Sequence, residues 1–111
     1  MSRDASYLLD ILLYAKDAAE FTADMSKKAF LLDHKCQSAV MRCFEVIGEA
    51  AKRLSMDFQK ANLDIPWSKM AKMRDLTHAN QRVDLDEVWD TVKSDIPILI
   101  ATVERLVPPE D

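Results

Sequence analysis

An all-α fold, an antiparallel bundle of four to five helices, is what this sequence predicts. Three observations predict it. The chain has one Gly and four Pro in 111 residues, so few positions are punctuated for tight turns. Ala, Leu, Met, Lys and Glu are plentiful, while β-branched runs and Asn-Gly turns are scarce. Apolar residues, 49% of the chain, return every three or four positions, which is the period of a helix with one buried face. The length suits one domain over residues 1–111 with a single core, and no repeat, low-complexity segment or linker divides it.

The first helix is expected over Ala5 to Met25. Leu8, Ile11, Leu12, Ala15, Ala18, Ala19 and Thr22 form its stripe, and Tyr7 and Tyr14 extend it as packing residues. Ser26 is a suitable cap for a short helix through Asp33, with Lys27 and Lys28 on a solvated edge or in a second basic patch. Asp33 can cap the next helix, His34 to Leu54. There Cys36, Val40, Cys43, Phe44, Ile47, Ala51 and Leu54 face inward, and His34 lies on the surface. Gly48, mid-helix, costs about 1 kcal/mol relative to Ala. It implies the close approach of another backbone or of a partner subunit. Glu45 and Glu49, one turn apart, read as a solvated or salt-bridged face.

Residues Ser55 to Lys60 predict one or two further turns, and Asn62 to Ile65 an interruption. Pro66 fits a first helical position, since its missing N–H is not needed there. The third core helix then carries Trp67, Met70, Met73, Leu76 and Thr77 on its inner side. After a connection over Ala79 to Val83, Asp84 with Glu87 resembles a capping box. The last helix is expected from Leu85 to Leu106, on the stripe Val88, Val92, Ile96, Leu99, Val103 and Leu106. Pro97 interrupts that pattern and predicts a kink near Lys93 to Ile96. Trp89 and the Gly48 region are candidates for a face buried on dimerisation.

The net charge of −4 argues against non-specific wrapping of nucleic acid, which needs many unopposed cations, although a local basic patch is compatible with it. Cys36 and Cys43 lie seven apart on one helix, about 10 Å along its axis, too far for a disulfide. They read as buried reduced thiols of a cytoplasmic protein. No metal-ligand spacing is present. No apolar run approaches the roughly 18 residues of a membrane span, and no signal peptide is evident.

Chemistry concentrates between Trp67 and Trp89. Arg74 and His78 are four residues apart, so a continuous α-helix would place them on one face about 6 Å apart along the axis. A guanidinium offers a bidentate cation to phosphate, and an imidazole exchanges a proton near neutral pH. Together they are sufficient for metal-free RNA cleavage. An Arg and a His at this spacing are also common on ordinary surfaces, and Asp75 could simply pair with Arg74 or Lys72. Lys69, Lys72 and Arg82 are candidate contacts to an RNA backbone, or a solvated face.

Several blocks resemble one family across nearly the whole chain. They are Val40-Met41-Arg42, Ile47-Gly48-Glu49-Ala50-Ala51-Lys52-Arg53-Leu54-Ser55, Ile65-Pro66-Trp67, Met73-Arg74-Asp75, His78, Val83-Asp84-Leu85-Asp86, Val88-Trp89 and Asp95-Ile96-Pro97. The chain resembles the HepT-like branch of the HEPN superfamily, the toxin half of HEPN/MNT toxin–antitoxin modules. The resemblance implies a four- to five-helix HEPN bundle that forms a homodimer. It implies a metal-independent endoribonuclease, without cofactor, whose cleft lies between two protomers. It also implies inhibition by a minimal nucleotidyltransferase that can place AMP on a motif tyrosine. The family's Arg, polar residue and His fall on Arg74, Asp75 and His78.

Two departures stand out. Three residues, Asp75, Leu76 and Thr77, separate Arg74 from His78 where the family usually has four or more, and Asn80 occupies the tyrosine position. In a continuous α-helix one missing residue turns His78 by about 100° relative to Arg74. Three functions are therefore expected in turn. The first is a toxin endoribonuclease working through Arg74 and His78, supported by Asp75 and Asn80. The second is a degenerate HEPN dimer that binds the nucleotidyltransferase or a nucleotide without cleaving RNA. The third is a purely structural helical dimer.

Overall fold

The computed structural model describes residues 3–77 and 83–107. Its first helix, α1 (Arg3–Phe21), buries Leu8, Ile11, Leu12, Ala15 and Ala18, the stripe read from the sequence. It stops four residues earlier than expected. Thr22 is fully buried, and its hydroxyl donates to the Ala18 and Ala19 carbonyls at 3.0 and 3.3 Å. The Thr22 carbonyl accepts from Lys93 Nζ at 2.7 Å, so a distant lysine closes the helix end.

Ser26 caps α2 (Lys27–Leu32) by accepting from the Ala29 amide at 3.1 Å, and Asp33 caps α3 (His34–Arg53) through the Cys36 amide at 2.9 Å. Helix α3 is the spine. Val40, Phe44 and Ile47 are fully buried along it, and α1 lies against it. Cys43 is buried but Cys36 is only half-buried, its Sγ 3.5 Å from Met25 Sδ; both thiols are free. This corrects the expectation of two buried cysteines: Cys36 lies in the first turn of α3, its Sγ 3.7 Å from the carbonyl oxygen of Phe21 at the end of α1, and stays partly open. His34 is exposed, as its place in the first turn suggested.

Ser55 caps α4 (Met56–Ala61) and is itself held by Asp4, whose carboxylate accepts from the Ser55 amide at 2.8 Å and hydroxyl at 2.7 Å. Helix α5 begins at Trp67, with Pro66 as its cap, and lasts only to Ala71. Residues Lys72–Leu76 continue as a 3-10 helix, so the expected continuous α-helix through Thr77 is corrected. Thr77 closes this segment: its amide and hydroxyl both donate to the Arg74 carbonyl, at 3.0 and 2.8 Å. Trp67, Met70 and Met73 still reach the core, because two shorter turns deliver the same inward side.

Asp84 caps α6 (Leu85–Asp90) through the Glu87 amide at 3.1 Å. The chain then passes through a π-helical segment, Thr91–Asp95, into α7 (Ile96–Glu104). Proline 97 has no N–H for the Lys93 carbonyl and its ring crowds that carbonyl. The widened turn just before it accommodates both effects, and the stripe Val88, Val92, Ile96, Leu99 and Val103 stays buried across it. Helices α1, α3, α5 with its 3-10 extension, and α6–α7 thus form one all-α HEPN-type bundle around a single core. Trp89, a candidate for a dimer face, is half-buried here against Phe30, ring centroids 5.3 Å apart, with Lys93 Nζ 4.7 Å from its ring centroid. No helix among the described residues is long and apolar enough to cross a membrane.

Candidate active site

The site begins with a missing side chain. A Cβ on Gly48 would stand 2.7 Å from Arg74 Cβ, 2.9 Å from Arg74 N and 3.1 Å from the Ala71 carbonyl oxygen. Only glycine lets the 3-10 segment settle this closely on α3. Of the two approaches anticipated for Gly48, the one found is with the protein's own backbone.

The neighbouring residue then fixes the arginine's other end. Arg74 Nη1 donates to Glu49 Oε2 at 2.6 Å, and Arg53 Nε donates to Glu49 Oε1 at 2.9 Å. One carboxylate thus bridges two guanidiniums. It titrates below its ordinary range, first because of the Arg53 hydrogen bond and then because of the nearby Arg74 charge. Arg53 is pushed upward by Glu49 and by a hydrogen bond with Tyr7. Beside them Thr77 Oγ1 lies 3.4 Å from Glu45 Oε1, and Glu45 stands 3.8 Å from Arg42. The expectation of a salt-bridged Glu45–Glu49 face is what the structure displays.

These groups line an open groove of about 480 Å³, formed by Tyr7, Asp10, Arg42, Glu45, Val46, Glu49, Ala50, Arg53 and Arg74. Three guanidiniums, three carboxylates and a phenol line it. The α3 contribution falls at three- and four-residue steps, so one helix face supplies most of the wall.

Of the residues singled out in the sequence, Arg74 lies in this groove and Asp75 is exposed beside it. The ion pair Arg74 makes is with Glu49, not with Asp75. Lys72 is exposed. Lys69 is elsewhere: it pairs with Asp95 at 3.3 Å, at the rim of a separate apolar pocket of about 120 Å³ between α5 and α7. The structure therefore does not bring Lys69 to Arg74. His78, Asn80 and Arg82 lie outside the described residues. The sequence reading missed Arg53, Tyr7 and the role of Glu49. One signal for them was present: Glu49 and Arg53 are an i,i+4 pair directly after the glycine.

Chemically, the groove presents a fixed guanidinium to a phosphodiester-sized space. The Glu49 bond occupies one of the five N–H donors of Arg74. The residues at hand suit binding an anionic, hydrogen-bonding ligand and stabilising charge on it.

Comparison with known proteins identifies the family of the chain. Residues 11–106 match the family model described as "Ribonuclease HepT-like". The chain is 46% identical over 101 residues to "Probable ribonuclease HepT" of Thermococcus cleftensis, covering 90% of this chain and 92% of that protein. It is 41% identical over 103 residues to "Putative RNase MJ0127" of Methanocaldococcus jannaschii, covering 92% and 85%. Over 111 residues it is 32% identical to "Putative RNase TTE0752" of Caldanaerobacter subterraneus subsp. tengcongensis, covering 99% of each chain. No solved structure matches the chain. With the family model spanning most of its length, the chain belongs to the HepT-like ribonuclease family.

Proposed function

We propose that the protein is a metal-independent endoribonuclease, the toxin of a type II toxin–antitoxin pair. The observation that carries this reading is the seating of Arg74: a glycine admits its backbone and a carboxylate aims its guanidinium into an open groove. The names of the relatives support ribonuclease chemistry. In the mechanism, His78 takes the proton of a ribose 2′-OH. The 2′-oxygen attacks the adjacent phosphorus and the P–O5′ bond breaks, the 5′-oxygen taking a proton from the second His78 of the dimer and a 2′,3′-cyclic phosphate remaining, while Arg74 stabilises the charge that builds on the phosphorane oxygens. A symmetric homodimer supplies two Arg74–His78 pairs to one composite cleft, with Asp75 and Asn80 in support and Lys72 and Arg82 near the RNA backbone. A nucleotidyltransferase-fold antitoxin, working with it in the cytoplasm, holds it inactive.

The short Arg74-to-His78 spacing and Asn80 at the tyrosine position favour a second reading, a HEPN dimer that binds its nucleotidyltransferase without cutting RNA. One experiment separates the two. The chain is expressed with and without the product of its neighbouring gene, and growth and RNA integrity are followed. Toxicity with RNA loss, relieved by the partner and abolished by His78→Ala or Arg74→Ala, is the outcome of the first reading. Harmless expression with retained partner binding is the outcome of the second and refutes the first.

A further inference from the structure

The groove as a whole balances three guanidiniums against three carboxylates, but the cluster immediately around Arg74 holds more cation than the Arg74–Glu49 pair alone would leave. Paired one to one, the two charges cancel, and a phosphate approaching Arg74 would meet a neutral couple. Glu49 is shared, however: Arg53 holds Oε1 at 2.9 Å and Arg74 holds Oε2 at 2.6 Å. Two guanidiniums on one carboxylate carry a net charge of about +1, and both oxygens are committed in fixed directions. Tyr7 lines the same groove as Arg53. The cluster is partly exposed, with side-chain accessibilities of 42% for Arg74, 38% for Glu49 and 60% for Arg53, so a ligand can reach it.

We infer that Arg53, Glu49 and Arg74 form a phosphodiester seat in which Glu49 is the positioning residue for Arg74 and Arg53 keeps the cluster cationic. This rests on the nuclease reading. The catalytic guanidinium is then oriented before RNA arrives. Arg53 is a phosphate contact in its own right, in addition to the role the sequence suggests for Lys69, Lys72 and Arg82. Glu49 touches no reacting atom; it acts through Arg74.

The test uses the full chain, a fluorogenic single-stranded oligoribonucleotide, and the variants Glu49→Ala, Glu49→Gln and Arg53→Ala. Glu49→Ala is expected to lower kcat roughly 10- to 100-fold, the effect of misplacing a group that must meet the transition state, with KM and Tm little changed. Glu49→Gln, whose amide oxygen still accepts from Arg74, restores most of that loss. Arg53→Ala instead raises KM, and the salt dependence of RNA binding falls by about 0.7 in log–log slope, the loss of one phosphate contact on a single strand. Wild-type kcat in Glu49→Ala overturns the inference, as does an equal loss in the Ala and Gln variants. A wild-type chain that cuts no RNA would refute the nuclease reading. The positioning role is then decided by NMR of the Arg74 guanidinium in the same proteins. Slowed Nη rotation that is lost in Glu49→Ala upholds it, and rotation indifferent to Glu49 overturns it.

Discussion

Replacing Gly48 by Ala tests how tightly the site is built. In an open helix this change stabilises by about 1 kcal/mol, because Ala costs less backbone entropy. Here the new methyl would meet Arg74 Cβ at 2.7 Å and Arg74 N at 2.9 Å. Ordinary carbon contacts begin near 3.5 Å, so the two elements must part by about 0.8 Å. The obstructing atoms are backbone and Cβ, which cannot swing aside as a side-chain tip could. Overpacking of this kind costs about 1–3 kcal/mol, and the upper part of that range applies where backbone must move. After subtracting the propensity gain, a net loss of about 1–2 kcal/mol remains, or a fall in Tm of about 4 °C or more for a domain of this size. Differential scanning calorimetry of Gly48→Ala reads it directly. Arg74 would move with its segment, so on the proposed nuclease reading RNA cleavage should fall far more than stability, by roughly 100-fold for a shift approaching 1 Å. A Tm that rises in the variant would refute the close-approach argument.

Three further outcomes are expected. Phe44, fully buried at the centre of α3, should cost about 3–5 kcal/mol when cut to Ala, measured by urea denaturation; a loss under 1 kcal/mol would contradict its central place. Burial pushes the Cys43 thiol from its ordinary 9.0 up to about 11, with the Asp17 charge adding to the effect. The folded state therefore keeps this proton where the unfolded chain releases it. The associated stability is complete below about pH 9 and is lost as pH rises toward 11. Urea midpoints should fall more steeply over that window than those of Cys43→Ala, and parallel curves would exclude the effect. Lys93→Met should cost about 1–2 kcal/mol, since it removes the 2.7 Å bond to the Thr22 carbonyl and the cation over Trp89. Hydrogen exchange should quicken at the end of α1; unchanged protection there would show that the bond does not hold the helix end.

The helices were legible because burial repeats along a helix with a fixed period. Leu8 to Ala18, Val40 to Leu54 and Val88 to Val103 announce their inner faces, and Ser26, Asp33 and Asp84 announce where helices begin. Periodicity says which face is buried but not what lies against it. That is why the Asp4–Ser55 tie, 51 residues apart, and the Arg74–Glu49 pair, 25 apart, were not foreseen. Gly48 was the exception: its cost inside a helix signalled a neighbour, though not which one. The change from α to 3-10 at Lys72 was missed because Met73 and Leu76 suit either form. Pro97 was read as a kink, since the sequence reveals the lost hydrogen bond but not the π turn that absorbs it.

That 3-10 stretch alters what the short motif means. Such a helix climbs about 2.0 Å per residue, against about 1.5 Å in an α-helix. Three of its steps, Arg74 to Thr77, rise about 6 Å, as far as four α steps. They also sweep about 360°, within some 40° of the four-step α value. From Arg74 to Thr77, three residues thus cover the reach, and most of the phase, that four residues of α-helix would give. An insertion after Arg74 would therefore not simply lengthen the motif by one residue. It would overshoot the end of the segment unless the added turn relaxed to the wider winding.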